Sequence, residues 1–154
     1  MKAMIFAAGL GTRLRPPTDH TPKALVSVAG KPMLERVILR LKEAGFNDIT
    51  VNIHHFGEQI IEFLRANNDF GITIHLSDER DMLLDTGGGI KKARPFLDGN
   101  EPFLVHNATS FPTSILQSFT GIIGKAMQRL HCSSVNDRHH ATCCWTMPTA
   151  CTAG

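Results

Sequence analysis

From residue 2 to residue 107, short apolar runs alternate with stretches of helical period, and this alternation limits the fold more than any other feature of the chain. Residues 2–8 are apolar after Lys2 and break at Gly9. A run of that length suits a buried parallel strand better than a helix of ten or more residues. From Pro32 onward Met33, Leu34, Val37, Ile38, Leu41 and Ala44 recur at three- and four-residue spacing, with Glu35, Arg36, Arg40, Lys42 and Glu43 on the other side. That is an amphipathic helix, stopped by Gly45. Residues 48–54 alternate toward a second strand, residues 58–66 repeat the helical spacing through Ile60, Ile61 and Leu64, and residues 72–76 read as a third strand. Thr86 opens a glycine-rich turn into a short helix through Ile90 and Ala93, expected to close at Pro95, and residues 103–107 form a fourth strand. Strands alternating with helices over short connections imply an α/β fold: a Rossmann-like parallel sheet, right-handed crossovers and helices on both faces. Ligands of such sheets sit beyond the carboxyl ends of the strands. The informative loops are therefore residues 9–23, 54–57, 85–89 and whatever follows Asn107.

Charge narrows the partners. Lys and Arg number 16 against 14 Asp and Glu, with no basic run, so nothing calls for nucleic acid or anionic lipid. Small molecules are the expected partners, and the oligomeric state is not encoded in any visible pattern. The first nine residues carry one charge and an apolar run too short for a signal peptide or a membrane span, which predicts a cytoplasmic protein. All four cysteines, Cys132, Cys143, Cys144 and Cys151, lie in the last quarter. A zinc site with His131, His139 or His140 is the sharper reading of them, but no Cys-x2-Cys pair exists, and no metal site is expected there.

The loop after the first strand runs Ala7-Ala8-Gly9-Leu10-Gly11-Thr12-Arg13-Leu14-Arg15-Pro16-Pro17-Thr18, followed by Thr21-Pro22-Lys23-Ala24-Leu25. Glycines at a strand end let backbone amides approach a polyphosphate, and Arg13 and Lys23 can neutralise its charge. The glycine spacing alone describes a tight turn with solvated cations equally well. Two other phosphate motifs are excluded: a dinucleotide fingerprint needs a third glycine where Leu14 stands, and a Walker loop needs Ser or Thr where Pro32 follows Gly30-Lys31. In Leu84-Asp85-Thr86-Gly87-Gly88-Gly89-Ile90, three glycines permit contact with a planar ring, against the plainer reading of a helix start capped by Thr86. His54 and His55 are assigned no chemistry.

Ala-Ala-Gly-x-Gly-Thr-Arg-Leu, then Pro-Lys-x-Leu, then Gly-Lys-Pro-Met-Leu resembles the sugar-1-phosphate nucleotidyltransferases, including mannose-1-phosphate guanylyltransferases and N-acetylmuramate-1-phosphate uridylyltransferases. The resemblance covers residues 1–108 and includes the Thr-Gly-Gly-Gly turn; Pro17 departs mildly from the usual Pro-Leu-Thr. It implies a fold of the nucleotide-diphospho-sugar transferase type. It also implies that a nucleoside triphosphate and a sugar 1-phosphate are the partners and that magnesium is the cofactor. Arg13 and Lys23 are the catalytic cations it implies, the first stabilising the triphosphate and the second holding the phosphate under attack. Ala8, Gly9, Gly11, Thr12, Gly87 and Gly88 are the implied nucleotide contacts. The reaction would be in-line attack of a sugar phosphate oxygen on the α-phosphorus with release of pyrophosphate, a chemistry dominated by positioning and charge stabilisation.

The family pattern stops at Ala108. Val105-His106-Asn107-Ala108 matches the end of the fourth strand, but Thr109 stands where an aspartate should bind magnesium, and a hydroxyl is a poor replacement for a carboxylate there. Composition changes at the same point: of 30 charged side chains only Lys125, Arg129, Asp137 and Arg138 follow residue 108, with twelve Ser or Thr and the only tryptophan. One lost nucleotide at the boundary of codons 108 and 109 accounts for both. Each original codon would then be the third base of one present codon and the first two of the next, and residues 109–118 permit Asp-Ile-Leu-Ser-Asn-Leu-Asp-Leu-Ala-Glu. The missing aspartate reappears first. The expected organisation is the nucleotide-binding half of a transferase domain over residues 1–108, truncated after its fourth strand, and an aberrant, poorly ordered tail over residues 109–154. The alternative is a non-catalytic nucleotide-binding module.

Overall fold

The structure is a computed structural model that describes residues 1–99 and 101–109 and, as backbone, the segment 143–145. A parallel sheet is built from β1 (Lys2–Phe6), β4 (Asp48–Ile53), β5 (Thr73–Asp78) and β6 (Phe103–Asn107). A two-residue ribbon, β2 (Ser27–Val28) and β3 (Lys31–Pro32), stands apart from it. The helices are α1 (Met33–Glu43), α2 (Gly57–Ala66) and α3 (Thr86–Leu97), and a further strand β7 (Cys143–Trp145) completes the order β5-β4-β1-β6-β7. Pairing is parallel except between β6 and β7.

Both faces of the sheet are covered, as the near-continuous apolar strands require. On one face α1 (Leu34, Val37, Ile38, Leu41) and α2 (Ile60, Leu64) pack on Ala3, Ile5, Ile49, Val51, Ile53 and Leu104. On the other α3 (Ile90, Ala93, Leu97) packs on Met4, Phe103 and Val105. Each large apolar side chain so buried stabilises the fold by about 2 kcal/mol. Glu35 in the first turn of α1 and Arg40 and Lys42 in its last complement the helix dipole. The helix ends in a Schellman motif: Gly45, at φ 88, donates to Lys42 O at 2.9 Å, and Phe46 N donates to Leu41 O at 2.9 Å.

Three expectations are corrected. Helix α3 does not close at Pro95 but runs to Leu97. Pro95 removes one intrahelical hydrogen bond close to the helix end, where burial of Leu97 and capping outweigh the loss: Lys2 Nζ donates to Phe96 O at 2.9 Å and Asp98 O at 2.8 Å. Thr86 is not the cap of α3; Asp85 holds that position, with no capping bond from its side chain. Finally, the segment after Thr109, read as free of strands, contributes β7 on the β6 edge, in register Phe103↔Trp145 and Val105↔Cys143. Unpaired main-chain groups of an edge strand accept a partner too short to show as a period in sequence. The rest of the tail expected to be poorly ordered lies outside the described residues.

Candidate nucleotide site

The order of the four parallel strands reverses between β1 and β6, and a cleft of about 270 Å³ opens beyond their carboxyl ends. This is the switch point at which such sheets bind ligands. The end of β1 contributes Ala7, Ala8 and Gly9 to its wall, the β5–α3 connection contributes Leu83, Leu84, Asp85 and Thr86, the end of β6 contributes Asn107, Ala108 and Thr109, and Lys23 and Ala24 close it. Of the expected loops, residues 54–57 are absent from the wall; β4 enters it through Asn52 instead.

Gly11 shapes the first loop. It sits at φ 68, and a Cβ there would meet Thr18 Cγ2 at 2.8 Å and Lys23 Cβ at 3.0 Å. Its carbonyl accepts from Leu14 N and from Thr18 Oγ1, both at 2.8 Å. The turn Thr12–Leu14, with Arg13 at its centre, follows directly; the Arg13 side chain lies outside what the structure describes. Gly9 is open, with nothing within 4 Å of a Cβ position. The amides of Ala7 and Ala8 are already taken by Asn52 Oδ1, at 2.7 and 3.2 Å, so the donors left for an anion begin at Gly9. Lys23 is half-buried in the wall, and no side chain among the described residues pairs with its ammonium.

The three glycines of α3 divide by role. Gly87 is open; a Cβ on Gly88 would lie 3.1 Å from Leu84 Cβ; one on Gly89 would lie 2.9 Å from Glu79 Oε1 and 3.0 Å from Phe6 Cε1. Gly89 therefore lets the first turn of α3 lie directly on the sheet. His54 Nδ1 bonds the carbonyl of Glu79 at 2.6 Å.

The end of β6 offers no carboxylate to magnesium. The position after β6 offers Thr109, whose hydroxyl donates to Asn107 Oδ1 at 3.1 Å, and the described residues hold no group of three or more His, Cys, Asp or Glu able to bind a metal. Cysteines 132 and 151 and histidines 131, 139 and 140 lie outside the described residues. No described helix is long and apolar enough to cross a membrane.

The sequence pattern of the family described as nucleotidyl transferase matches residues 2–131. The chain belongs to this family. Among relatives of this chain, the N-acetylmuramate alpha-1-phosphate uridylyltransferase of Neisseria meningitidis is 50% identical over 107 residues, covering 70% of this chain and 46% of the relative. A probable mannose-1-phosphate guanylyltransferase of Oryza sativa is 44% identical over 111 residues, covering 70% and 30%. The crystal structure of HddC from Yersinia pseudotuberculosis complexed with GMP-PN superposes with a TM-score of 0.68 at 28% identity, covering 78% of this chain and 52% of that one. The chain thus spans less than half the length of the curated relatives named. The family match also runs past Ala108, where the sequence reading ended its resemblance.

Of the residues marked in the sequence, Ala8, Gly9, Lys23 and Thr109 are brought together in the wall. Gly11, Thr12, Gly87 and Gly88 adjoin it along the chain without lining it. Sequence reasoning missed Asn52 and Glu79, 1% and 0% exposed beneath the cleft. For Asn52 a signal was available: a parallel strand inside the sheet is covered on both faces, so the polar alternates of β4 must be buried.

Proposed function

We propose that this chain is the nucleotide-binding half of a sugar-1-phosphate nucleotidyltransferase site. The single observation that carries the reading is the cleft at the strand reversal, with open Gly9 and with Lys23, whose ammonium no described side chain pairs, in one wall. A triphosphate would lie against the amides from Gly9 onward, with Lys23 and Arg13 balancing its charge. The base would lie toward Leu83, Leu84 and the glycine turn. In the complete reaction a sugar phosphate oxygen bonds to the α-phosphorus as the bond to the bridging β-phosphate oxygen breaks, giving an NDP-sugar and pyrophosphate. The relatives named for uridylyl and guanylyl transfer to sugar 1-phosphates support that reaction class.

A second reading, nucleotide binding without catalysis, is favoured by Thr109. With a hydroxyl in place of the magnesium carboxylate, this chain binds a nucleoside triphosphate and does not turn it over. Calorimetric titration with UTP and GTP, paired with a pyrophosphate-release assay containing hexose 1-phosphates and magnesium, tests both readings. Binding without release is expected; absence of binding overturns the site. A frameshift after codon 108 explains Thr109, and sequencing the encoding DNA across that codon tests it.

A further inference from the structure

Two buried polar side chains behind the cleft have no part in the chemistry above. Asn52 Oδ1 accepts from Ala7 N at 2.7 Å and Ala8 N at 3.2 Å, and Asn52 Nδ2 donates to Glu79 Oε1 at 2.9 Å. Glu79 Oε2 accepts from Leu84 N at 3.2 Å. Every polar atom of both side chains is thereby used, and the amide of Asn52 has one permitted orientation, since the flipped group would face two N–H donors with its own NH₂. The backbone of Glu79 is pinned as well, its N donating to Ile53 O at 2.7 Å and its carbonyl accepting from Met82 N at 3.2 Å.

The relay Ala7/Ala8, Asn52, Glu79, Leu84 ties together the two walls between which the nucleotide would lie: the end of β1 and the connection into α3. The same carboxylate limits how α3 sits, because only a glycine at position 89 leaves room for Glu79 Oε1. We propose that Asn52 and Glu79 are positioning residues that set the spacing of the two walls and hence the fit of the nucleoside triphosphate. This rests on the nucleotide-binding reading above. An apolar pair would fill the same space but would leave two buried main-chain donors, of Ala7 and Ala8, and the part-buried donor of Leu84 without acceptors. The polar pair instead couples the walls, so a change at either residue is felt at both.

An exchange of the two functional groups tests this. Asn52→Asp alone sets two carboxylates against each other, and Glu79→Gln alone cannot satisfy both Asn52 Nδ2 and Leu84 N without a donor facing a donor. In the Asn52→Asp, Glu79→Gln double variant every bond can reform: the Gln amide donates to the Asp, its oxygen accepts from Leu84 N, and the second Asp oxygen accepts from Ala7 and Ala8. UTP and GTP titrations on folded protein should show each single variant weakened about tenfold or more, the scale of one stranded buried hydrogen bond. The double variant should return to within about threefold of the wild type. Amide resonances of the free proteins supply a readout without nucleotide: Asn52→Asp should move the Leu84 amide, Glu79→Gln the Ala8 amide, and the double variant should restore both. Single variants that melt earlier yet bind as the wild type does would make the pair merely structural and overturn the proposal. A wild type that binds neither nucleotide overturns the proposed function, and the amide shifts then decide the coupling by themselves; shifts confined to each mutated wall would overturn it.

Discussion

The hydroxyl of Thr109 donates to Asn107 Oδ1 at 3.1 Å, closing a turn at the end of β6 in the wall of the cleft. Thr109→Asp replaces that donor with an acceptor that cannot bond Asn107 Oδ1 and is repelled by it. The new carboxylate should turn toward a magnesium ion carried by the triphosphate. We expect magnesium to strengthen UTP or GTP binding about tenfold more in Thr109→Asp than in the wild type, with EDTA abolishing the difference. Equal magnesium dependence in the two proteins would remove residue 109 from the metal position.

Lys23 supplies a second test. A hydrogen bond from an ammonium to phosphate contributes about 1.5–3 kcal/mol, so Lys23→Ala should weaken triphosphate binding by tenfold or more with little change in melting temperature. Arg13→Ala should act in the same direction, and the double variant should lose the salt dependence of binding. Titrations at low and high ionic strength check this; equal affinity in the wild type and the double variant would reduce the loop to a turn.

Gly9 and Gly11 should separate function from folding. Gly11→Ala forces a side chain into a left-handed conformation and against Thr18 and Lys23, costing about 2 kcal/mol of stability. Gly9→Ala meets nothing within 4 Å and should leave stability within about 0.5 kcal/mol while weakening nucleotide binding. Thermal denaturation and titration of both variants distinguish the two roles.

Asp78 gives a prediction in pH. The hydrogen bond from Arg80, Nε to Oδ1 at 3.0 Å and to Oδ2 at 2.8 Å, holds its carboxyl below the ordinary value of 3.8, against a smaller opposing effect of burial. A depressed carboxyl stabilises the fold above its unfolded value and loses that contribution as pH falls through the lower folded one. The pair is exposed, so the effect is small. The melting difference between wild type and Asp78→Asn should therefore be constant from neutrality to about pH 5 and shrink as pH falls through the depressed folded value.

The strands and helices that bury apolar stripes were legible because their periods are what burial demands: Val37, Ile38 and Leu41 mark α1 as plainly in sequence as in the core. The β2–β3 ribbon was not. Its turn places Ala29 at φ 50 and Gly30 at φ 79, and alanine is no signal for a left-handed residue. Arg36 holds that turn instead, donating to Val28 O at 3.0 Å and Ala29 O at 2.9 Å, a contact that no local pattern announces. In the cleft, the place of Gly9 and Lys23 was readable because both belong to the one connection that leaves β1. Asn52 was readable only as a buried polar alternate of β4, and Glu79 was not readable, since it follows β5 and its partner lies on another strand.

The central strand of the sheet is also the earliest in the chain. Lys2 pairs with Asp48 on one side and with Phe103 on the other, across about 100 residues of intervening sequence. Until β6 has been made, one side of β1 has no ladder, and Met4 has no Phe103 or Val105 beside it. Non-local pairing of this kind slows folding and leaves apolar strands exposed in the interval. During synthesis, then, β1 waits for β6 through about 100 residues, and a chaperone that holds extended apolar chain would have this strand to bind in the interval.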